Sequence, residues 1–152
     1  MEKSLRARAV DLLSRREYTR RELERRLAPF AESVEQLQSL LDELAERSWQ
    51  SDSRFARQFA EARGARYGSR RLAQEMRQRG VSGEEISAAL AGQDDLASAR
   101  RQWEKKFGKP PESPEERAKQ MRFLAARGFP MSVIRQAMQG LADEEDFPLD
   151  DD

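Results

Sequence analysis

No cysteine and no histidine occur among the 152 residues. The first absence excludes disulfides, thiolate metal sites and cysteine nucleophiles, and it fits a reducing compartment. The second removes the commonest general base and the commonest neutral metal ligand. No apolar run approaches the roughly 18 residues of a membrane-spanning helix, and the N-terminus carries no continuous apolar segment of the signal-peptide kind. A soluble, cytoplasmic protein without membrane contact is expected. Alternating β-branched runs are missing, and isoleucine occurs only at Ile86 and Ile134, so no strand pattern competes with helix. Phosphate-cradling loops of the GxxxxGK[ST] or GxGxxG type are absent, as is any carboxylate cluster with metal-ligand spacing outside the C-terminal tail. The acidic pairs Glu84-Glu85 and Asp94-Asp95 fall at helix starts, where they complement the helix dipole. No catalytic residue, cofactor or metal is therefore expected, and the chain reads as a non-enzyme.

What is present is charge. Charged residues make up 37% and hydrophobic residues 38%, so each helix buries a narrow stripe and leaves a broad wet face. The formal net charge of zero averages unlike parts. Residues 143–152 carry seven acidic groups and no base, which leaves 28 basic against 21 acidic groups in residues 1–142, a net +7. The tail is expected to be disordered.

An internal repeat organises the body. Leu72, Met76, Gly80, Ile86 and Leu90, shifted back by 49, become Leu23, Leu27, Ala31, Leu37 and Leu41; shifted forward by 48 they become Gln120, Leu124, Gly128, Ile134 and Met138. Four of the five positions are apolar or glycine in both directions, with Gln120 and Ala31 the weak members. First helices are marked by the stripes Leu5, Ala9, Leu12, Leu13, then Phe55, Phe59, Ala62, then Leu96, Ala99, Trp103, Phe107. Second helices start at a hydroxyl with a glutamate three residues on, Thr19 with Glu22 and Ser113 with Glu116, the latter followed by Pro114. Third helices start at Ser33 with Gln36 and at Ser82 with Glu85. Gly80 and Gly128 fit left-handed C-caps. The expected fold is all-α: three tandem three-helix repeats in an elongated, curved array. Their bounds are 1–50, 51–92 and 93–142, followed by the tail 143–152.

The repeats share apolar spacing but not charge. From Arg54 to Arg79 there are eight arginines against two glutamates. On a helix starting at Ser69, the residues Arg70, Gln74 and Arg77 fall within about 60° of one another, opposite Leu72 and Met76. Arg54 and Arg57 share the exposed side of the preceding helix. Such a face suits a nucleic-acid backbone or an acidic protein, although arginine in place of lysine can also reflect coding bias alone. The N-terminal arginines Arg15, Arg16, Arg20, Arg21, Arg25 and Arg26 interleave with Glu17, Glu22 and Glu24, and pairing within the segment is expected to account for most of them. Trp49, Trp103, Phe107, Phe123 and Phe129 are expected to pack in the core. The segment Leu72 to Ile86 has a helix-turn-helix outline, but its recurrence around Gly128 makes a packing unit the simpler explanation.

The run Asp52-Ser53-Arg54-Phe55-Ala56 resembles the D-x-R-F-A motif of RecX regulatory proteins. Tyr67-Gly68-Ser69-Arg70-Arg71-Leu72, Arg79-Gly80-Val81-Ser82, Trp103-Glu104-Lys105-Lys106-Phe107 and Phe123-Leu124-Ala125-Ala126-Arg127-Gly128-Phe129 follow in the family's order. Departures are Gln50-Ser51 before the motif, Ala31 in place of a turn glycine, and Pro130 in place of a serine cap. The resemblance implies a monomeric repeat protein that binds the RecA filament on single-stranded DNA and restrains its recombinase, ATPase and coprotease activities. It implies no catalytic residue and no cofactor. Of the motif residues, Phe55 is expected in the core and Asp52 as an N-cap. The expected contacts are Arg54, Arg57, Arg66, Arg70, Arg71, Gln74 and Arg77, with single- or double-stranded DNA as a further partner. A sequence-independent DNA-binding protein without a RecA role, and a helical adaptor for another partner, are the alternatives. The acidic tail is expected to compete for the basic face.

Overall fold

The computed structural model describes residues 2–139, and all regular structure among them is helical. The helices are α1 (Leu5–Arg15), α2 (Arg20–Leu27), α3 (Val34–Glu46), α4 (Asp52–Arg63), α5 (Ser69–Gln78), α6 (Gly83–Leu90), α7 (Asp95–Lys106), α8 (Pro114–Ala126) and α9 (Met131–Gln139), with a 3-10 turn Ala28–Phe30 after α2. The acidic tail 143–152 lies outside the described residues. The described residues form two compact units: those up to Phe59 with Glu75–Ala89, and Ala60–Gln74 with residues 90–139. Helices α4 and α5 each contribute to both.

The local signals decide where helices begin. The Thr19 hydroxyl accepts the Glu22 N–H while the Glu22 carboxylate accepts the Thr19 N–H, a complete capping box. Ser33 caps α3 through the Gln36 N–H, Ser113 caps α8 through the Glu116 N–H, and Ser82 accepts the Glu85 N–H at the start of α6. Pro114 occupies the first turn of α8, where its missing N–H costs nothing. Gly80 and Gly128 take φ of 95° and 94° and end α5 and α8, a conformation that is costly for residues carrying a Cβ.

In the first unit, Leu5, Ala9, Tyr18, Leu23, Leu27, Leu37, Leu40, Leu41 and Leu44 form one core. Phe55, Phe59, Met76, Val81 and Ile86 are buried in the same unit. The second unit gathers Ala99, Trp103, Leu124, Phe129, Ile134, Ala137 and Met138. There the Trp103 indole N–H donates to the Gln120 side-chain carbonyl at 2.7 Å. A buried tryptophan thus explains the polar residue at an otherwise apolar repeat position. Two expectations are corrected. Ala62 is exposed, because α4 buries Phe55, Ala56, Phe59 and Ala60. Trp49 is exposed as well, since it follows α3 in a turn, out of phase with the helix's apolar stripe.

A single joint recurs in both units. The first N–H of α2, on Arg20, donates to Asp52 Oδ1 at 2.9 Å. Gln50 Nε2 donates to the same oxygen at 2.9 Å and to the Tyr18 carbonyl at 3.2 Å. In the second unit the first N–H of α5, on Ser69, donates to Asp95 Oδ1 at 3.0 Å, and the Ser69 hydroxyl donates to Asp95 Oδ2 at 2.5 Å. Gln93 Nε2 donates to the carbonyls of Gly64 and Tyr67 and to Asp95. The pattern Gln-x-Asp thus spans the entry to one helix with the start of another. Asp52 is therefore not the N-cap of α4, as expected from sequence; that role falls to Ser51, whose hydroxyl accepts the Arg54 N–H. Likewise Asp94 caps α7 while Asp95 faces α5.

The glycine turns complete the joint. The Thr19 hydroxyl donates to the Arg79 carbonyl at 2.7 Å, and at the corresponding place the Gly68 N–H donates to the Arg127 carbonyl at 2.8 Å. A Cβ on Gly68 would lie 2.3 Å from the Gly128 carbonyl oxygen, so only glycine lets the backbones approach this closely. Gly68→Ala is expected to cost about 1–3 kcal/mol through forced backbone displacement. Gly83→Ala, where nothing lies within 4 Å of the added carbon, is expected to be neutral or mildly stabilising. Urea unfolding of the two variants checks the contrast, and equal stabilities would contradict it.

Candidate interaction surface

The seven expected contact residues do not share one environment. Arg54 is the clearest departure. Its Nε pairs with Glu17 Oε2 at 2.6 Å, and its terminal nitrogens donate to the Ser48 and Trp49 carbonyls at 3.0 and 3.2 Å. The side chain is consumed inside the first unit rather than offered on the open face of α4. Its charge is needed there, because Glu17 is itself only 23% exposed and unpaired burial of a carboxylate is expensive. Arg71 is half-buried; its guanidinium stands 4.2 Å from the Tyr67 ring centroid and donates to the Ala126 carbonyl at 3.4 Å. Arg57, Arg66, Arg70, Gln74 and Arg77 are exposed.

In the second unit Tyr67 gathers cations. Besides Arg71, the guanidinium groups of Arg66 and Arg127 lie 5.7 and 5.3 Å from its ring. Arg127 also stands 5.1 Å from Phe123, which meets Phe107 edge-on at 5.4 Å. Stacking of this kind orders arginine side chains and leaves their donor edges for anions.

Two features were missed in the sequence. The first is Trp49, 43% exposed, with Arg6 and Arg47 at 5.5 and 5.2 Å from its ring. Glu43 pairs with both arginines, and Ser48 before it has φ of 60°. The signal was present: Leu37, Leu40, Leu41 and Leu44 set the phase of α3, and residue 49 falls outside it. The second is the fate of the N-terminal glutamates. Glu17 is taken by Arg54, Glu24 by Gln38, and Glu22 by Thr19, Arg16 and Arg79. Among the described residues, ion pairing within the segment is thus that of Arg16 with Glu22, while Arg20 turns to Asp42. Arg15, Arg25 and Arg26 are exposed without an ion pair among the described residues.

Comparison with known proteins decides the family. The family description "RecX, second three-helix domain" matches residues 51–90, and "RecX, third three-helix domain" matches residues 93–138. The chain is 66% identical over 143 residues to Regulatory protein RecX of Chromobacterium violaceum, covering 94% of each chain. It is 44% identical over 152 residues to Regulatory protein RecX of Ralstonia nicotianae, covering 96% of this chain and 95% of that one. The chain belongs to the RecX family. The crystal structure of RecX from Lactobacillus salivarius shares its fold, with a TM-score of 0.81 at 17% identity over 90% of this chain and 94% of that one. In this RecX-family chain the D-x-R-F-A residues are architectural: Asp52 receives α2, Arg54 holds Glu17 and the Ser48-Trp49 turn, and Phe55 is 8% exposed. No helix of the described residues is long and apolar enough to cross a membrane.

The Trp49 surface carries a measurable electrostatic mark. Hydrogen bonding from Arg6, reinforced by the charges of Arg6 and Arg47, holds the Glu43 carboxyl below the usual glutamate range. The interaction stands above the ordinary glutamate value and is lost as pH falls through the lowered one. Carboxyl NMR titration should therefore place Glu43 below its ordinary value and return it upward in Arg6→Ala. A midpoint unmoved by that substitution would contradict the assignment.

Proposed function

We propose that this RecX-family chain binds RecA and its filament on single-stranded DNA and restrains recombinase, ATPase and coprotease activities. It acts in the cytoplasm as a monomer, by binding rather than by chemistry, and needs no cofactor. The observation that carries this reading is the 66% identity, across 94% of the chain, to a protein named for regulation. The exposed residues Arg57, Arg66, Arg70, Gln74 and Arg77 of the middle repeat are the proposed contacts. Arg71 contributes through its stack on Tyr67, and Arg54 serves instead to shape the surface.

Direct DNA binding without a RecA role is the second reading, favoured by the same arginines: Arg57, Arg66, Arg70 and Arg77 have no ion-pair partner among the described residues. It requires affinity that falls steeply with salt as counterions are released from the phosphates.

Titrating the protein into RecA with single-stranded DNA separates the two. Slowed ATP hydrolysis at substoichiometric protein, persisting when DNA is raised in excess, is the expected result. Unchanged hydrolysis at equimolar protein would overturn the RecA reading, and inhibition relieved in proportion to added DNA would favour the second.

A further inference from the structure

The first unit contains a cleft that the basic middle repeat does not explain. It lies between α1 and the end of α2 with its 3-10 turn, holds about 240 Å³, and is lined by Lys3, Arg8, Arg15 and Arg26 against the single carboxylate of Asp11. Asp11 pairs with Lys3 and also feels the charge of Arg15, so one carboxylate answers four cations and the cleft keeps an excess of three positive charges. Leu12 and Leu27 line it further. One wall is Phe30, 52% exposed, with the Arg8 guanidinium 3.8 Å from the ring centroid. Exposed phenylalanine is costly to keep in water, and here it stands beside cations whose glutamate neighbours are committed elsewhere: Glu17 to Arg54, Glu22 to Arg79 and Arg16, Glu24 to Gln38.

We propose that this cleft binds single-stranded nucleic acid, with a phosphodiester held by Arg15 and Arg26 and a base against the Phe30–Arg8 stack. A nucleotide places a flat π surface and an anion within one covalent unit, which is the juxtaposition the cleft offers. A polyglutamate-like peptide supplies the anion but no flat face for the ring. A duplex keeps its bases stacked on one another and presents only phosphates. The arginines bind bidentately, while the aromatic wall is indifferent to base identity, so recognition is of single strands rather than of sequence. The inference does not depend on a RecA role and is tested without RecA.

The experiment is fluorescence anisotropy of the full-length protein with a labelled oligothymidylate of about ten nucleotides, within the span single-strand binders occupy. An abasic oligonucleotide of equal length, thymidine monophosphate and a polyglutamate peptide of equal charge serve as competitors. Arg15→Glu with Arg26→Glu should weaken oligothymidylate and abasic binding at least tenfold and flatten the salt dependence. Phe30→Ala should weaken oligothymidylate about fivefold and leave the abasic strand unchanged. All three positions are exposed, and unchanged thermal melting of each variant confirms that folding is not what is measured. Wild-type affinity in the double variant would overturn the site. Equal losses for both strands in Phe30→Ala would overturn the stacking role. Displacement by the peptide or the mononucleotide as effective as by the strand would also contradict the proposal, marking a general anion patch or a free-nucleotide site.

Discussion

The first amides of α2 and α5, on Arg20 and Ser69, have no acceptor in the turn that precedes them, and both are met by carboxylates from further along the chain, Asp52 and Asp95. Helix starts always leave such donors, and a buried one left unmade is costly. Here the acceptor is the first residue of the helix two further on, oriented by a glutamine two residues earlier. The carbonyl just before a later turn glycine supplies a second anchor, that of Arg79 to the Thr19 hydroxyl in one case and that of Arg127 to the Gly68 N–H in the other. Each joint therefore ties together segments between 26 and 60 residues apart. The choice of Thr or Gly follows from which group donates: Thr19 bridges the gap with its side chain, whereas at Gly68 the backbones touch.

This constraint explains why the family's most recognisable residues contribute structure. Asp52 and Phe55 are turned inward, and Arg54 spends its guanidinium on Glu17 and two carbonyls. One consequence is that Trp49 is presented outward on a turn whose carbonyls are held in place. A scaffold of this kind leaves the exposed positions free to differ in charge from repeat to repeat.

The helices, their caps and the glycine turns were legible because each is set by local chemistry: a hydroxyl followed by an acceptor three residues on, or a glycine where φ is positive. The core was legible from phase, apart from Ala62 and Trp49. The charged side chains were not, because pairing across the fold is invisible to spacing. Arg54 looked exposed by helical phase, yet Glu17 lies 37 residues away in sequence and reaches it. Conversely, the interleaved glutamates of the N-terminal segment looked like local partners for Arg15 and Arg26 but are drawn to Arg54, Gln38 and Arg79. The Gln-x-Asp joint was also hidden, since Gln50-Ser51 reads as a departure until Gln93 is seen doing the same work.

A scaffold of capped helices and Gln-x-Asp joints presents the arginines proposed to carry recognition. The most direct test is the inhibition of RecA ATP hydrolysis by Arg70→Glu with Arg77→Glu, compared with the unsubstituted protein at equal concentration and equal thermal stability. Loss of most of the inhibition with the melting temperature unchanged is the predicted result. Full inhibition by the doubly substituted protein would contradict it.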